Sequence, residues 1–295
     1  MKKIGALEAG GTKMVLAVYD EAGQELERLT LPTETPDKTM PPMQAFFRDH
    51  GIDALGVGSF GPLALGKADP NYGAITTTPK LAWRDYPLLQ RLTEGLDIPS
   101  AIDTDVNAAA LAEAEAGAAK GCRSAVYVTI GTGIGAGICI DGKPVHGMLH
   151  PEAGHMLLRP HPDDPLPRGG CPYHDGCLEG LAAGPALGAR INGNAKDLPD
   201  DHPLFALEAH YLAQMCVNLI LTVSPEKIIL GGGVMQRAGL FPMIRRETQR
   251  LLGGYVQTEQ VLTGIDGYIV PPALFPVSGL YGSYLLGRQA LEQNA

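Results

Sequence analysis

Basic residues are scarce in this chain: 23 Lys and Arg stand against 32 Asp and Glu in 295 residues, a formal net charge of −9. Binding to nucleic acid or to an anionic membrane surface relies on basic patches that displace counterions, so the charge balance argues against both. An anionic substrate would have to be held by backbone amides. Cysteine is sparse too, and five cysteines in a long chain do not make a secreted disulfide framework. No stretch reaches 18 consecutive apolar residues, so no transmembrane helix is expected. Met1-Lys2-Lys3-Ile4-Gly5 runs straight into a strand-like segment without a signal-peptide apolar region. The expectation is a cytoplasmic protein.

Two familiar phosphate-binding motifs are also missing. Gly10-Gly11-Thr12-Lys13 lacks the spacing G-x-x-x-x-G-K-[ST] and leads into a strand, which excludes a Walker-type P-loop. Gly56-Val57-Gly58-Ser59-Phe60-Gly61 matches G-x-G-x-x-G letter for letter. A dinucleotide-binding loop must open a helix, however, and here Pro62 and a turn-rich loop follow.

What is present is a globular composition with 45% apolar and 19% charged residues, 38 glycines and 24 prolines. A chain of this length buries about three quarters of its unfolded surface and needs no staple. Two β-favouring runs flank a glycine turn between Ile4 and Tyr19, which reads as a hairpin. Ala125 to Ile140 repeats the plan around Gly131-Thr132-Gly133. Each half thus opens with a strand, a glycine loop and a strand, and two such loops across a cleft could hold a polyphosphate. Glycine lets backbone N–H groups approach phosphate oxygens, and Thr12, Thr129 and Thr132 add hydroxyls. A third cluster, Gly231-Gly232-Gly233, follows the strand Lys227–Leu230.

Ala54–Phe60 reads as a buried strand, and Ala101-Ile102-Asp103 ends another. Asn107–Lys120 is alanine-rich and predicts a helix; Leu204–Val223 predicts a long buried helix, and Gly279–Gln293 a final one. Residues 146–185 have little periodicity and are dense in His, Cys, Pro and Gly, which marks a functional insertion. Strands alternating with helices imply an α/β fold. The boundary is expected at residues 115–124, with a first domain at 1–118, joined by a last helix at about 281–295, and a second at 119–280.

Asp105 is the best candidate for a general base, because it stands at the mouth of the alanine-rich helix, whose free amides and dipole should keep it ionised. Spacing alone favours a helix cap, since Asp before a helix is usually one. Cys171-Pro172-Tyr173-His174-Asp175-Gly176-Cys177, with His155 sixteen residues upstream, offers four N/S ligands and no open position, the description of a structural tetrahedral zinc site. A zinc-dependent hydrolase would need an open position. Cys122, Cys139 and Cys216 read as core. Trp83 reads as packing more than as a sugar platform, and Arg245-Arg246 as a solvated helix face.

Glu8-Ala9-Gly10-Gly11-Thr12-Lys13, Asp105-Val106-Asn107-Ala108-Ala109-Ala110-Leu111-Ala112-Glu113, Gly131-Thr132-Gly133-Ile134-Gly135 and the Cys/His cluster, in that order, resemble the ROK sugar kinases over nearly the whole chain. With Tyr72-Gly73-Ala74-Ile75-Thr76-Thr77-Thr78-Pro79-Lys80, the sequence is most similar to bacterial ROK fructokinases. The resemblance implies an α/β, actin/hexokinase-like (ribonuclease H-like) two-domain fold with a central cleft for ATP. It also implies ATP-dependent phosphorylation of a hexose, foremost D-fructose to fructose 6-phosphate, with Asp105 as general base. Mannokinase, glucokinase or another hexose kinase, and a non-catalytic sugar sensor, are the alternatives. ATP, Mg2+ and structural Zn2+ would be the cofactors and a homodimer the assembly.

By the same resemblance Thr104, Glu152, His155 and Glu179 would bind sugar, and His155, Cys171, His174 and Cys177 would hold zinc. Gly10, Gly11, Thr12, Lys13, Gly131, Thr132, Gly133, Pro185, Gly232, Gly233 and Gln236 would bind ATP. The chain departs from the family with Thr104 for the usual Asn, Glu8 for the usual Asp and His174 for a usual Cys. ROK repressors carry an N-terminal helix-turn-helix, for which there is no room before Ile4.

Overall fold

The computed structural model describes residues 2–294, and the chain divides into two compact units. The first takes the residues up to Ala116, Gly142–Pro151 and those from Leu274 on; the second takes Gly117–Asp141 and Glu152–Ala273. Strands β1 (Lys3–Ala9), β2 (Lys13–Asp20), β3 (Glu25–Pro32), β4 (Ala54–Ser59) and β5 (Ser100–Thr104) of the first unit lie in the order β3-β2-β1-β4-β5. β1 to β3 form an antiparallel meander, and β4 and β5 extend it in parallel from β1. Helices α1 (Pro36–His50), α2 (Leu88–Thr93), α3 (Asp105–Ala116) and the C-terminal α10 (Ser278–Gln293) cover its faces, and the two-residue strand β8 (Lys143–Pro144) lies beside α3.

The second unit repeats the opening. β6 (Ser124–Ile130) and β7 (Ile134–Ile140) are an antiparallel pair around a three-residue turn, and β9 (Lys227–Gly231) and β10 (Ile269–Val270) extend it in parallel. Its helices are α4 (Leu178–Ala182), α5 (Gly184–Ile191), α6 (Leu204–Thr222), α7 (Leu240–Leu252), α8 (Glu259–Leu262) and α9 (Ile265–Tyr268). By length and composition α6 is apolar enough to cross a membrane, but most of it is buried, as in a core helix. Glu208, His210, Gln214 and Asn218 interrupt its sequence, so no unbroken apolar run marks it.

Strand periodicity sorts the first unit's core. Leu7, Ala9, Met14, Leu16 and Val18 face one way with Met43, Phe47 and Trp83. Ile4, Ala6, Val15, Ala17 and Tyr19 face the other way with Leu111, Leu280 and Tyr284. A sheet buried on both faces reads as a continuous apolar run because its side chains alternate. Trp83 is 1% exposed and its Nε1 donates to the Glu34 carbonyl at 2.7 Å, so it packs and is not available to a ligand.

The pattern Gly56-x-Gly58-x-x-Gly61 has a packing reason. α10 lies so near β4 and α3 that a Cβ on Gly56 would fall 1.8 Å from the Ser283 carbonyl oxygen, and one on Gly282 would fall 1.8 Å from that of Ala108. Only hydrogen fits at both places. Glu113 of α3 secures the start of the same helix, its Oε1 accepting from Leu274 N–H at 2.9 Å and Ser278 Oγ at 2.7 Å.

Two details differ from the sequence reading, and one helix, α1, has no place in it. α3 stops at Ala116 instead of reaching Lys120, because residues 117–121 turn back with Lys120 N–H on the Gly117 carbonyl and Gly121 at φ +86°. α1 is a full helix despite Pro41 and Pro42, since Met40, Met43, Phe46 and Phe47 bury one face. Gly142–Pro151 groups with the first unit, where His146 Nε2 meets Asp103 Oδ2 at 2.9 Å and Leu63 N–H donates to His150 Nε2 at 3.0 Å.

Gly56→Val or Gly282→Val is expected to cost about 2–4 kcal/mol by overpacking. Gly267→Ala, where a Cβ meets nothing within 4 Å, should stay within about 0.5 kcal/mol. Equal thermal melts for all three would refute the close-packing account.

Candidate active site

In the first unit the functional side chains gather where β1, β5 and two helix N-termini end. Thr104 closes β5 and its Oγ accepts from Asn107 N–H at 3.1 Å, so it caps α3; one lone pair is thereby used while its proton stays free to donate. Buried Asp103 accepts from Thr104 N–H and from Asn107 Nδ2, both at 2.7 Å, and from His146. The Asp103 bond holds the His146 pKa above its usual value. These bonds fix the backbone that presents Asp105.

Asp105 begins α3, its Oδ1 accepting from Val106 N–H at 2.9 Å. The helix start was expected to keep it ionised; burial outweighs the backbone amides and raises its carboxyl from 3.8 to about 6, which leaves it mostly ionised at neutral pH. Glu8 sits at the start of α10, where a Cβ on Gly279 would touch its carboxyl at 2.8 Å. Burial first, then the Asp105 charge, push Glu8 from 4.5 to about 7 against the opposing pull of Lys13 and Arg28. Two carboxylates that repel in this way form a donor set that a divalent cation would relieve.

The turn between β1 and β2 has one internal bond, Gly10 N–H to the Lys13 carbonyl at 2.9 Å. The turn between β6 and β7 matches it, with Gly131 N–H on Gly133 at 2.9 Å. Among the described residues the N–H groups of Gly11 and Thr12, and of Thr132 and Gly133, have no protein partner. Each turn therefore presents two successive amides, the arrangement that binds oxyanions. Lys13 is exposed at the start of β2. Lys80 Cε lies 3.4 Å from where a Cβ on Gly11 would be.

In the second unit His155, Cys171, His174 and Cys177 converge, with one donor atom from each within 4.8 Å of the others. Cys171 Sγ lies 3.8 Å from His155 Nδ1 and 3.6 Å from His174 Nδ1, and Cys177 Sγ lies 3.8 Å from His155 Nδ1. With Zn–S and Zn–N bonds of about 2.3 and 2.0 Å, a tetrahedron has edges of roughly 3.5 Å, so the donors fit zinc. Tyr173 and Gly180 N–H groups donate to the two sulfurs, as suits thiolates. Cys139 and Cys216 are buried; Cys122 is only half-buried.

A pocket of about 440 Å3 in this unit is lined by Thr132, Cys171, Glu179 and Pro185 among others. Glu152 is exposed and precedes the short turn Ala153–His155. Gly233 and Gln236 are exposed just past β9. Gly232, at φ +89°, presses on the Ile130 backbone, where a Cβ would lie 2.4 Å from its carbonyl.

A sequence profile of the ROK family matches residues 4–289. A fructokinase from Pediococcus pentosaceus is 46% identical over 98% of this chain and 99% of its own. The chain belongs to the ROK family. The ROK hexokinase structure from Thermus thermophilus superposes with a TM-score of 0.77 at 28% identity, covering 99% of each chain. A Streptomyces griseus ROK glucokinase, solved with glucose and AMPPNP, gives 0.74 at 25% identity over 97% of this chain and 99% of that one. The relatives named fructokinase match at 39–46% identity and those named glucokinase at 29–31%. These comparisons carry the α/β, actin-like two-domain class of the ROK fold.

The sequence pattern led to the glycine turns, Asp105 and the Cys/His cluster, but not to Asp103, His146 or Lys80 as site residues. Lys80 ends the Thr76-Thr77-Thr78-Pro79-Lys80 run, and that run was the only hint. Arg245 is not on a solvated face. Its side chain is 15% exposed and bonds the Asp266 carboxylate and the Ile269 carbonyl.

Raised carboxyl pKa values carry a stability consequence. Between the unfolded values near 4 and the folded values of about 6 and 7, the native state holds more protons, so these groups make stability fall as pH rises. Asp105→Asn and Glu8→Gln should therefore raise Tm relative to the parent at pH 8, with the gain shrinking toward pH 4. A difference in Tm that does not change with pH would contradict the burial argument.

Proposed function

We propose that this ROK chain is an ATP-dependent hexose kinase whose preferred substrate is D-fructose, converted to fructose 6-phosphate. The observation that carries the reading is Asp105, a buried carboxylate with its pKa brought to about 6 at a helix mouth, whose charge reaches Glu8 on the strand that leads into a glycine turn with two unused amides. A base titrating just below neutrality is ionised at physiological pH and still accepts a proton readily. The fructose assignment is supported by the higher identity to relatives named fructokinase.

In this reading the sugar's 6-hydroxyl gives its proton to Asp105 Oδ as its oxygen bonds the γ-phosphorus, and the bond from that phosphorus to the β,γ-bridging oxygen breaks to leave ADP. The amides of Gly11 and Thr12, with Lys13 and Lys80, offset the phosphoryl charge, and Thr132 and Gly133 are assigned to ATP. Glu8 would hold Mg2+, whose part is to neutralise developing negative charge on the phosphates. Thr104, Glu152, His155 and Glu179 are assigned to the sugar, and Gly10, Gly131, Pro185, Gly232, Gly233 and Gln236 to the nucleotide. Structural zinc on His155, Cys171, His174 and Cys177, a homodimer and a cytoplasmic location complete the reading.

ADP release should be measured over fructose, mannose and glucose. Fructose should lead, and Asp105→Asn should lower kcat by roughly 10^2–10^4. Below a pH of about 6, kcat/KM should fall tenfold per unit as Asp105 protonates. Turnover led by another hexose would overturn the fructose assignment. Nucleotide binding without turnover of any sugar would favour the sensor.

A further inference from the structure

The Cys/His cluster and the glycine turn of the second unit are joined by a short series of contacts. Cys177 caps α4, its Sγ accepting from Gly180 N–H at 3.4 Å. Two residues along, Glu179 Oε2 accepts from Ile134 N–H at 2.9 Å, and a Cβ on Gly133 would lie only 2.7 Å from that oxygen. At the other end of the turn Gly184 N–H donates to the Gly131 carbonyl at 2.8 Å. The second approach comes through His155, whose neighbour Gly154 packs so tightly on Ile134 that a Cβ would sit 1.7 Å from its carbonyl oxygen. Leu178 N–H on the Met156 carbonyl, at 2.9 Å, ties the two approaches together.

The turn itself has a single internal hydrogen bond, from Gly131 to Gly133. Its conformation is therefore set from outside, by residues one or two positions from the metal donors His155 and Cys177 and by the α4–α5 junction. We infer that the metal cluster shapes the oxyanion-binding turn Gly131–Ile134, with Glu179 as the positioning residue, so that the metal governs affinity for a nucleoside triphosphate it never touches. This rests on the nucleotide reading above and extends it, since there the zinc is structural and has no part in nucleotide binding.

The test is the Kd of AMPPNP, read by calorimetry, for the zinc-loaded protein, the chelated protein, Glu179→Ala and Glu179→Gln, with thermal melts as a check of folding. Chelation is expected to weaken AMPPNP about tenfold, on the scale of other site-to-site couplings. Glu179→Ala should weaken AMPPNP in the loaded protein too, and chelating that variant should add less than chelating the parent, because the Glu179 link is already gone and only the His155–Gly154 approach remains to be lost. Glu179→Gln should restore most of the affinity, since its amide oxygen still accepts from Ile134 N–H. A general loss of structure would not be rescued by Gln. If the chelated protein unfolds, the loaded Glu179→Ala variant decides. Unchanged AMPPNP affinity in folded, loaded Glu179→Ala, or equal losses in Ala and Gln, would overturn the proposal while leaving the kinase reading intact. A parent protein that binds no AMPPNP would overturn both.

Discussion

Contact between backbone and backbone, with no room for a Cβ, is the constraint on which both units of this protein depend. In the first unit α10 rests on β4 and α3 at Gly56 and Gly282. That contact places the start of α10 against Glu8 and packs the helix along β1 and β5. In the second unit the Ala153–His155 turn rests on Ile134 through Gly154, which brings a metal donor to within a residue of the glycine turn. Side chains at these points would move whole elements, because packed interiors give way by shifting and not by compressing.

That packing also sets the chemistry. A carboxylate at a helix start is ordinarily favoured in its charged form, yet Asp105 and Glu8 lie in surroundings dry enough to reverse the effect. Burial of both groups next to each other costs stability and yields carboxyls that titrate near neutrality. The same trade is visible in the fixed partners: Asp103 spends its oxygens on Thr104, Asn107 and His146, so that Asp105 is held without being neutralised. The glycine turns follow a parallel logic, using one amide internally and leaving two for an anion.

Much of this was legible along the chain. The two hairpins showed themselves through apolar runs flanking Gly10-Gly11-Thr12 and Gly131-Thr132-Gly133, since a hairpin is a local structure and its signal is local. The metal donors were legible from spacing, because three of them fall within seven residues, Cys171 to Cys177. α1 was hidden by Pro41 and Pro42, whose breaking tendency is overridden by burial of Met40, Met43, Phe46 and Phe47. β3 was hidden because most of its side chains are exposed and give no apolar alternation to read.

By itself the sequence determined the α/β class, the paired glycine turns, the Cys/His cluster and the candidacy of Asp105, all features carried by residues near one another in the chain. Only the tertiary structure decided what the glycines of Gly56-x-Gly58 are for, which way the Asp105 pKa moves, and that Lys80 lies over Gly11 and Glu179 on Ile134. Each of those depends on an element from tens to hundreds of residues away. Desolvation and close approach are properties of the assembled surroundings, which no local spacing encodes.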